Sequence, residues 1–364
     1  MRHGSIRAFA VALTLLLAVD ASAARKKKKG DDEDVAQTLP VLKDPPGAVS
    51  AETGRLVFHV SPLSAKGLLT QQVRDALKVL FKENRGASIV KLRAFAVDSG
   101  DLRRVRTLVS EIFTDRKMSL PALSAIQAGA LPMDGAQVVL ESVAMEKKVV
   151  NRNGLAFFSG TQGKDALESI ARLETEASAA GVKPANVLRV TCFLSSLDGF
   201  ANARDTVASV FPGAAADFIQ LQRIALEPLA ECEAVGRLDS PPAAPVTFLS
   251  PLKTADASGY SQIALVNTPK IVFSGTQMAF GEQDADVRLA FDRLQKTLAP
   301  LGVSYKNVFW SAAYPLTRPV ADRVRNLRFE FLDRSHPPAG TLLLFEGLES
   351  LDASAALEVI AAAK

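Results

Sequence analysis

Ser-Gly-Thr-Gln occurs twice in this chain, in FFSGTQG (157–163) and in VFSGTQM (272–278), 115 residues apart and each directly after an apolar run. Hydroxyls at a strand end can offer hydrogen bonds to a small ligand, so Ser159, Thr161, Ser274 and Thr276 are candidate binding residues; the same residue types also serve ordinary turns. Metal chemistry has little to draw on. Beyond the N-terminal leader the only imidazoles are His59 and His336, and with Cys192 and Cys232 they show no spacing that would build a coordination sphere, so no metal and no cofactor is expected. The two cysteines fall on expected strands, where they either pair or stay as buried thiols.

The elements around the two copies match. After Gln162 come a helical face (Leu167, Ile170, Ala177), the turn AAGVKPANV, the strand RVTCFLSS and a second face (Phe200, Ala203, Val207, Val210). After Gln277 come Val287, Phe291, Leu294 and Leu298, then PLGVSYKNV, FWSAAYPL, and Val320, Val324, Leu327 and Phe331. Phe309 and Trp310, inside that apolar strand, are expected in the core. The template also fits the N-terminal third at an offset of 98, aligning Ser61 with Ser159 and Phe95 with Phe193. Each copy reads β-α-β-α-β-β, an α+β layer with helices on one sheet face. The strands (VTCFL, AFAV, TLLLF) are apolar on both sides, so the uncovered sheet faces should pack on one another, and three equivalent copies suit a pseudo-threefold arrangement. The boundaries are 55–150, 151–239 and 258–364, with the Pro-rich stretch 240–257 as an extended linker.

Ahead of these lie a positive start (MRHGSIR), the run AFAVALTLLLAV and the small-residue pattern Ala21-Ser22-Ala23, which read as a signal peptide over 1–23 and hence export to the periplasm or outside the cell. An uncleaved anchor is the alternative. No later stretch approaches the length of a membrane span. Lys26–Lys29 directly after the cleavage pattern opposes translocation, and with Asp31–Asp34 it forms a charged polar leader over 24–54. Without residues 1–23 the chain holds 41 basic and 38 acidic residues. That balance, with no basic stripe interleaved with aromatics, argues against nucleic acid as a partner and against ribonuclease activity.

The segment from Ile89 to Ala144, IVKLRAFAVDSGDLRRVRTLVSEIF…SLPALSAIQAGALPMDGAQVVLESVA, resembles the RidA family, also called YjgF, and SGYSQ (258–262) ahead of VFSGTQ resembles that family's opening. The resemblance implies three tandem RidA-like (chorismate mutase-like) units in one chain. Because the family forms homotrimers with clefts between subunits, it also implies a monomer acting as a pseudo-trimer. The implied activity is hydrolysis of enamines and imines to a keto acid and ammonia. In that chemistry an arginine in a Pro-Ala-Arg motif grips the substrate carboxylate, and a glutamate on the last strand orients or activates water.

Here the arginine position holds Leu123 (after Pro121-Ala122), Ala216 and Gly340 (after Pro338-Ala339), and the glutamate survives only as Glu231, against Val139 and Ala356. Arg106, Arg204 and Arg325 share one repeat position, where the family often has a cleft asparagine, and could supply the cation; a solvated helical arginine, commonplace on an amphipathic helix, is the simpler reading of each. Arg223, read on the penultimate strand of the second unit, is a further candidate. Tyr260 matches a family cleft tyrosine. The cleft with the most surviving parts should therefore combine Glu231, Tyr260, Ser274 and an arginine. The expected function is binding of a small metabolite in inter-unit clefts, with imine or enamine hydrolysis as the alternative; arginine restored at Gly340 would show whether only the anchor was missing.

Overall fold

The computed structural model describes residues 42–97, 102–225, 227–252 and 259–364. The expected signal peptide, the leader up to residue 41 and the stretch 253–258 lie outside the described residues.

The described chain is a mixed α+β fold of three sheets. In chain order it begins with β1 (Ala48–Glu52), β2 (Leu56–Val60), α1 (Leu69–Asn84), β3 (Ser88–Ala96), α2 (Leu102–Asp115), β4 (Ala122–Gln127) and β5 (Val138–Met145). There follow β6 (Leu155–Gly163), α3 (Ala166–Ala179), β7 (Val187–Leu194), α4 (Phe200–Val210), β8 (Ala215–Gln220) and β9 (Ala230–Arg237). After β10 (Val246–Leu249) and β11 (Ile263–Val266) come β12 (Lys270–Ser274), β13 (Gln277–Phe280), α5 (Asp284–Leu298), β14 (Val308–Pro315), α6 (Arg318–Leu327), β15 (Ala339–Leu342), β16 (Gly347–Leu348) and β17 (Ala353–Ala363).

The first sheet runs β16-β4-β3-β5-β2, the second β10-β11-β6-β9-β7-β8, and the third β1-β12-β17-β14-β15 with β13 also on β17. Each contains one parallel pair, β3/β4, β7/β8 or β14/β15. Each is also completed by a strand from elsewhere in the chain: β16 on β4, β11 on β6, and β1 on β12. Thus the residues after SGYSQ extend the second sheet, and the Pro-rich stretch contributes β10 beside them. Each exchanged strand caps an edge that would otherwise present unpaired backbone groups.

Helix faces follow the apolar spacing. Val287, Ala290, Phe291, Leu294 and Leu298 of α5 are buried, and the helix starts at a capping box between Gln283 and Asp286. Each sheet has its own helix-side core. The opposite faces of all three meet in a fourth, where Phe95 lies 5.8 Å from Phe193 and Phe345 lies 6.0 and 5.6 Å from those two rings. Phe309 and Trp310 are buried there, Phe309 at 5.0 Å from Phe157. Fully burying one such ring contributes about 1.5–3 kcal/mol.

The apolar strand pattern hides a charged centre. Glu141, Glu233 and Glu358 occupy matched places on β5, β9 and β17, opposite Arg93, Thr191 and Ala312. Arg93 donates to both Glu141 oxygens at 2.7 and 2.9 Å and to Glu233 at 2.5 Å; Arg189 reaches the same two carboxylates. Lys91 donates to Glu358 at 2.5 Å, to Ser124 and to the Ser274 carbonyl. Burial pushes the Glu141 carboxyl up, but the Arg189 and Arg93 guanidiniums outweigh it and hold the group at about 2. Asp217, beside Glu141, is pushed well above the usual range by burial and then by that neighbouring charge. Cys192 and Cys232 face each other across β7 and β9 and form a disulfide.

Candidate functional site

Strand registers locate equivalent positions independently of side-chain type. In the three parallel pairs Leu92 stands opposite Leu123, Val190 opposite Ala216, and Ser311 opposite Gly340. On the last long strands Phe95 faces Val139, Phe193 faces Glu231, and Tyr314 faces Ala356. Leu123, Ala216 and Gly340 are therefore one structural position, and Val139, Glu231 and Ala356 another.

A cavity of about 560 Å³ opens where the ends of β6 and β9 meet β15. Its floor comes from a register shift in β6 between Phe158 and Thr161, which turns Ser159 and Gly160 out of the regular ladder with β9. The Ser159 hydroxyl donates to the Ser261 carbonyl at 2.5 Å and accepts the Gly340 N–H at 2.8 Å, tying the second sheet to the third segment. Glu231 packs its carboxyl directly on Gly160: a Cβ there would stand 1.6 Å from Oε1, so any side chain at 160 displaces the Glu231 carboxyl. From the helix side, Thr161 donates to Glu176 at 2.7 Å. Tyr260, Leu342 and Leu343 line the remaining wall, and Arg172 and Arg325 stand at the rim. The Arg328 guanidinium covers the Tyr260 ring at 3.6 Å. A second cavity of about 340 Å³ shares Leu229, Arg325, Leu342 and Leu343 with the first and extends towards Arg318.

Two carboxyls in the first of these cavities are shifted towards neutrality. Burial, reinforced by the charge of Glu233, pushes Glu231 up to about 8. Burial also pushes Glu176 up to about 7, against the opposing pull of Thr161 and Arg172. At neutral pH burial thus favours the protonated form of Glu231 and leaves Glu176 near its midpoint. Both rim arginines are already paired, Arg172 with Glu168 and Arg325 with Asp322, each at 2.6 Å.

Of the residues singled out in the sequence, Glu231, Tyr260, Ser159, Thr161 and Arg325 surround this one cavity. Ser274 does not join them. It ends β12 on the side where the third sheet meets the first: its carbonyl accepts from Lys91, its hydroxyl accepts the Val359 N–H, and the Thr276 N–H points to the Leu123 carbonyl. Arg204 is exposed on α4 and paired with Asp205. Arg106 pairs with Glu349. Arg223 lies beyond the end of β8, in the loop, where its backbone meets Glu346 and its guanidinium the Val97 carbonyl. Gly340 cannot take the arginine: a Cβ would fall 2.0 Å from the Ser311 carbonyl oxygen, so substitution there displaces backbone before any cation is gained.

The sequence reading missed Glu176, Gly160 and Arg172. Glu176 had a legible signal, because it recurs with Ser169, Ile170, Leu173 and Ala177 on the buried face of α3, where a carboxylate is out of place. Gly160 sat in plain view inside the repeated motif, but the side chain that needs its bareness is 71 residues away.

No family model matches the chain, and no curated protein matches it. Solved structures do, Rid and YjgF proteins among them, each over about a third of this chain's length. The Rid protein YyfB from Yersinia pestis is 14% identical and matches 33% of this chain and 100% of its own at a TM-score of 0.30. The YjgF gene product of E. coli is 18% identical over 29% of this chain and 94% of its own, TM-score 0.24. TdcF of E. coli, solved with bound serine, is 19% identical over the same shares, TM-score 0.23.

Proposed function

We propose that this protein is an exported, RidA-like binder of a small metabolite, with three fused units packed as a pseudo-trimer and one working cleft, between the second unit and the third. The carrying observation is the cavity of about 560 Å³ in which Glu231, Glu176, Tyr260 and Arg325 converge from separate segments. Its size and mixed lining suit a compact polar molecule. The residues at the family's arginine position (Leu123, Ala216, Gly340) supply no cation, so ordinary carboxylate capture by a fork of N–H donors is not available from that strand. A panel of small metabolites, with serine among the first because TdcF was solved with it, should raise the melting temperature of the wild type. Glu231→Ala should abolish that rise. A panel that leaves the wild type unmoved would contradict the reading.

Imine or enamine hydrolysis is the second reading, favoured by one feature: two carboxyls near neutrality can give and take protons at a C=N carbon and its attacking water. The two readings part on ammonia release from enzymatically generated 2-aminoacrylate, unchanged by the protein under the first and accelerated under the second.

A further inference from the structure

The charges that face the cavity are unequally satisfied. Arg172 and Arg325 stand at the rim and pair with Glu168 and Asp322, outside the cavity lining, and Arg172 still draws the Glu176 carboxyl downward. Glu231, only 9% exposed, forms no ion pair among the described residues. Among the described residues its hydrogen-bonding neighbour is the Thr341 hydroxyl, whose single proton is directed to Glu233 at 3.0 Å. Glu176 is likewise without an ion pair among the described residues, and receives one hydrogen bond, from Thr161. Gly340 leaves the opposite wall without a side chain and cannot acquire one. The groups of this cleft without a counter-ion among the described residues are therefore the two carboxyls.

Building on the proposal that the cleft binds a small molecule, we infer that its ligand is a cation, a small primary amine or guanidine whose charged head pairs with Glu231 while its far end reaches Glu176. A carboxylate ligand would meet two carboxyl groups and arginines that must first leave their partners, whereas an ammonium supplies the counter-charge both glutamates lack. Burial favours the protonated form of Glu231, so an arriving ammonium must displace that proton, and the complex gains an ion pair in a desolvated pocket. Glu233, Arg172, Arg325, Tyr260 and Arg328 also face these groups, and Glu233, already held by Arg93, adds to the negative field.

Calorimetric titration of the whole protein with ethanolamine and 1,3-diaminopropane, against propionate and 2-oxobutanoate, tests this. The amines should bind and the acids should not. Amine affinity should rise roughly tenfold from pH 6.5 to 7.5 and level off above about 8, with proton release seen as a dependence of the heat on buffer ionisation. Glu231→Gln, an isosteric change that copies the protonated side chain, should weaken amine binding at least tenfold and flatten its pH dependence; Glu176→Gln should weaken the diamine more than ethanolamine. Acids binding in place of amines, or amines binding equally well to Glu231→Gln, would overturn the cationic assignment and leave the binding cleft standing. Silence from both sets and from the wider metabolite panel would overturn the cleft itself, and this inference with it.

Discussion

Two seams of the molecule share one backbone plan and differ in what fills it. Where the third sheet meets the first, Ser274 and Thr276 approach β4, Leu123 stands 2% exposed, and Ala356 stands 1% exposed on the last strand. Where the second sheet meets the third segment, the equivalent places hold Ser159 and Thr161, Gly340, and Glu231. Leucine plus alanine closes the first seam; glycine plus glutamate leaves the second with a cavity and a buried acid. The closed seam is also welded by charge, since Lys91 bridges Ser124, the Ser274 carbonyl and Glu358 across it. A binding cleft here is therefore the place where packing has been left out, and its buried acid costs stability.

The sharpest way to break the comparison is Lys91→Met, which strips the weld and leaves Glu358 buried without its cation. It should cost about 3–5 kcal/mol in denaturant unfolding, while Thr341→Val at the open seam should cost about 1 kcal/mol. Equal costs would mean the two seams are held alike.

Next comes pH. The folded value of Glu231, about 8 against an ordinary 4.5, means that its stability contribution is complete below pH 4.5 and is lost as pH rises through 8. Glu231→Gln should therefore match the wild type at pH 4 and exceed it at pH 9 by roughly 2–4 kcal/mol, read as a gap between the two stability–pH curves. Coincident curves at pH 9 would show that the buried acid carries no strain.

The glycines of the repeated motif separate stability from binding. In Gly275→Ala the new Cβ meets the Leu123 carbonyl oxygen at 2.7 Å, fixed backbone, and should cost about 1–3 kcal/mol. In Gly160→Ala it meets the movable end of Glu231, so stability should change by less than about 1 kcal/mol while ligand binding is lost. The smallest effect belongs to Arg204→Ala, exposed, paired with its neighbour Asp205 and lying 5.8 Å over the Phe200 ring: within about 0.5 kcal/mol by denaturant unfolding, and unchanged binding by titration.

The repeating element order was legible because helix and strand periods are local: Leu167, Ile170 and Ala177 fall on one helical face whatever lies around them, and RVTCFL can hardly be anything but a buried strand. The exchanged strands were not, since Ile263–Val266 pairs as readily with β6 as with its own neighbour, and only the packed fold decides. Ser274 was misplaced for a related reason. The motif gives Ser159 and Ser274 the same local role, but which neighbouring segment each one faces is a property of the assembly. The apolar reading of the strands also concealed the central ions, because Glu141, Glu233 and Glu358 are single charges within long hydrophobic runs and find their cations on other strands. Glu176 needed only a stricter reading of α3.

The central claim is that the one working cleft is built around Glu231. Crystals soaked with ethanolamine test it most directly: electron density for the amine against the Glu231 carboxyl, with none at the matching seam of Ser274, Leu123 and Ala356, is the predicted result. Density at that closed seam, or an empty Glu231 cleft beside an amine bound elsewhere, would contradict it.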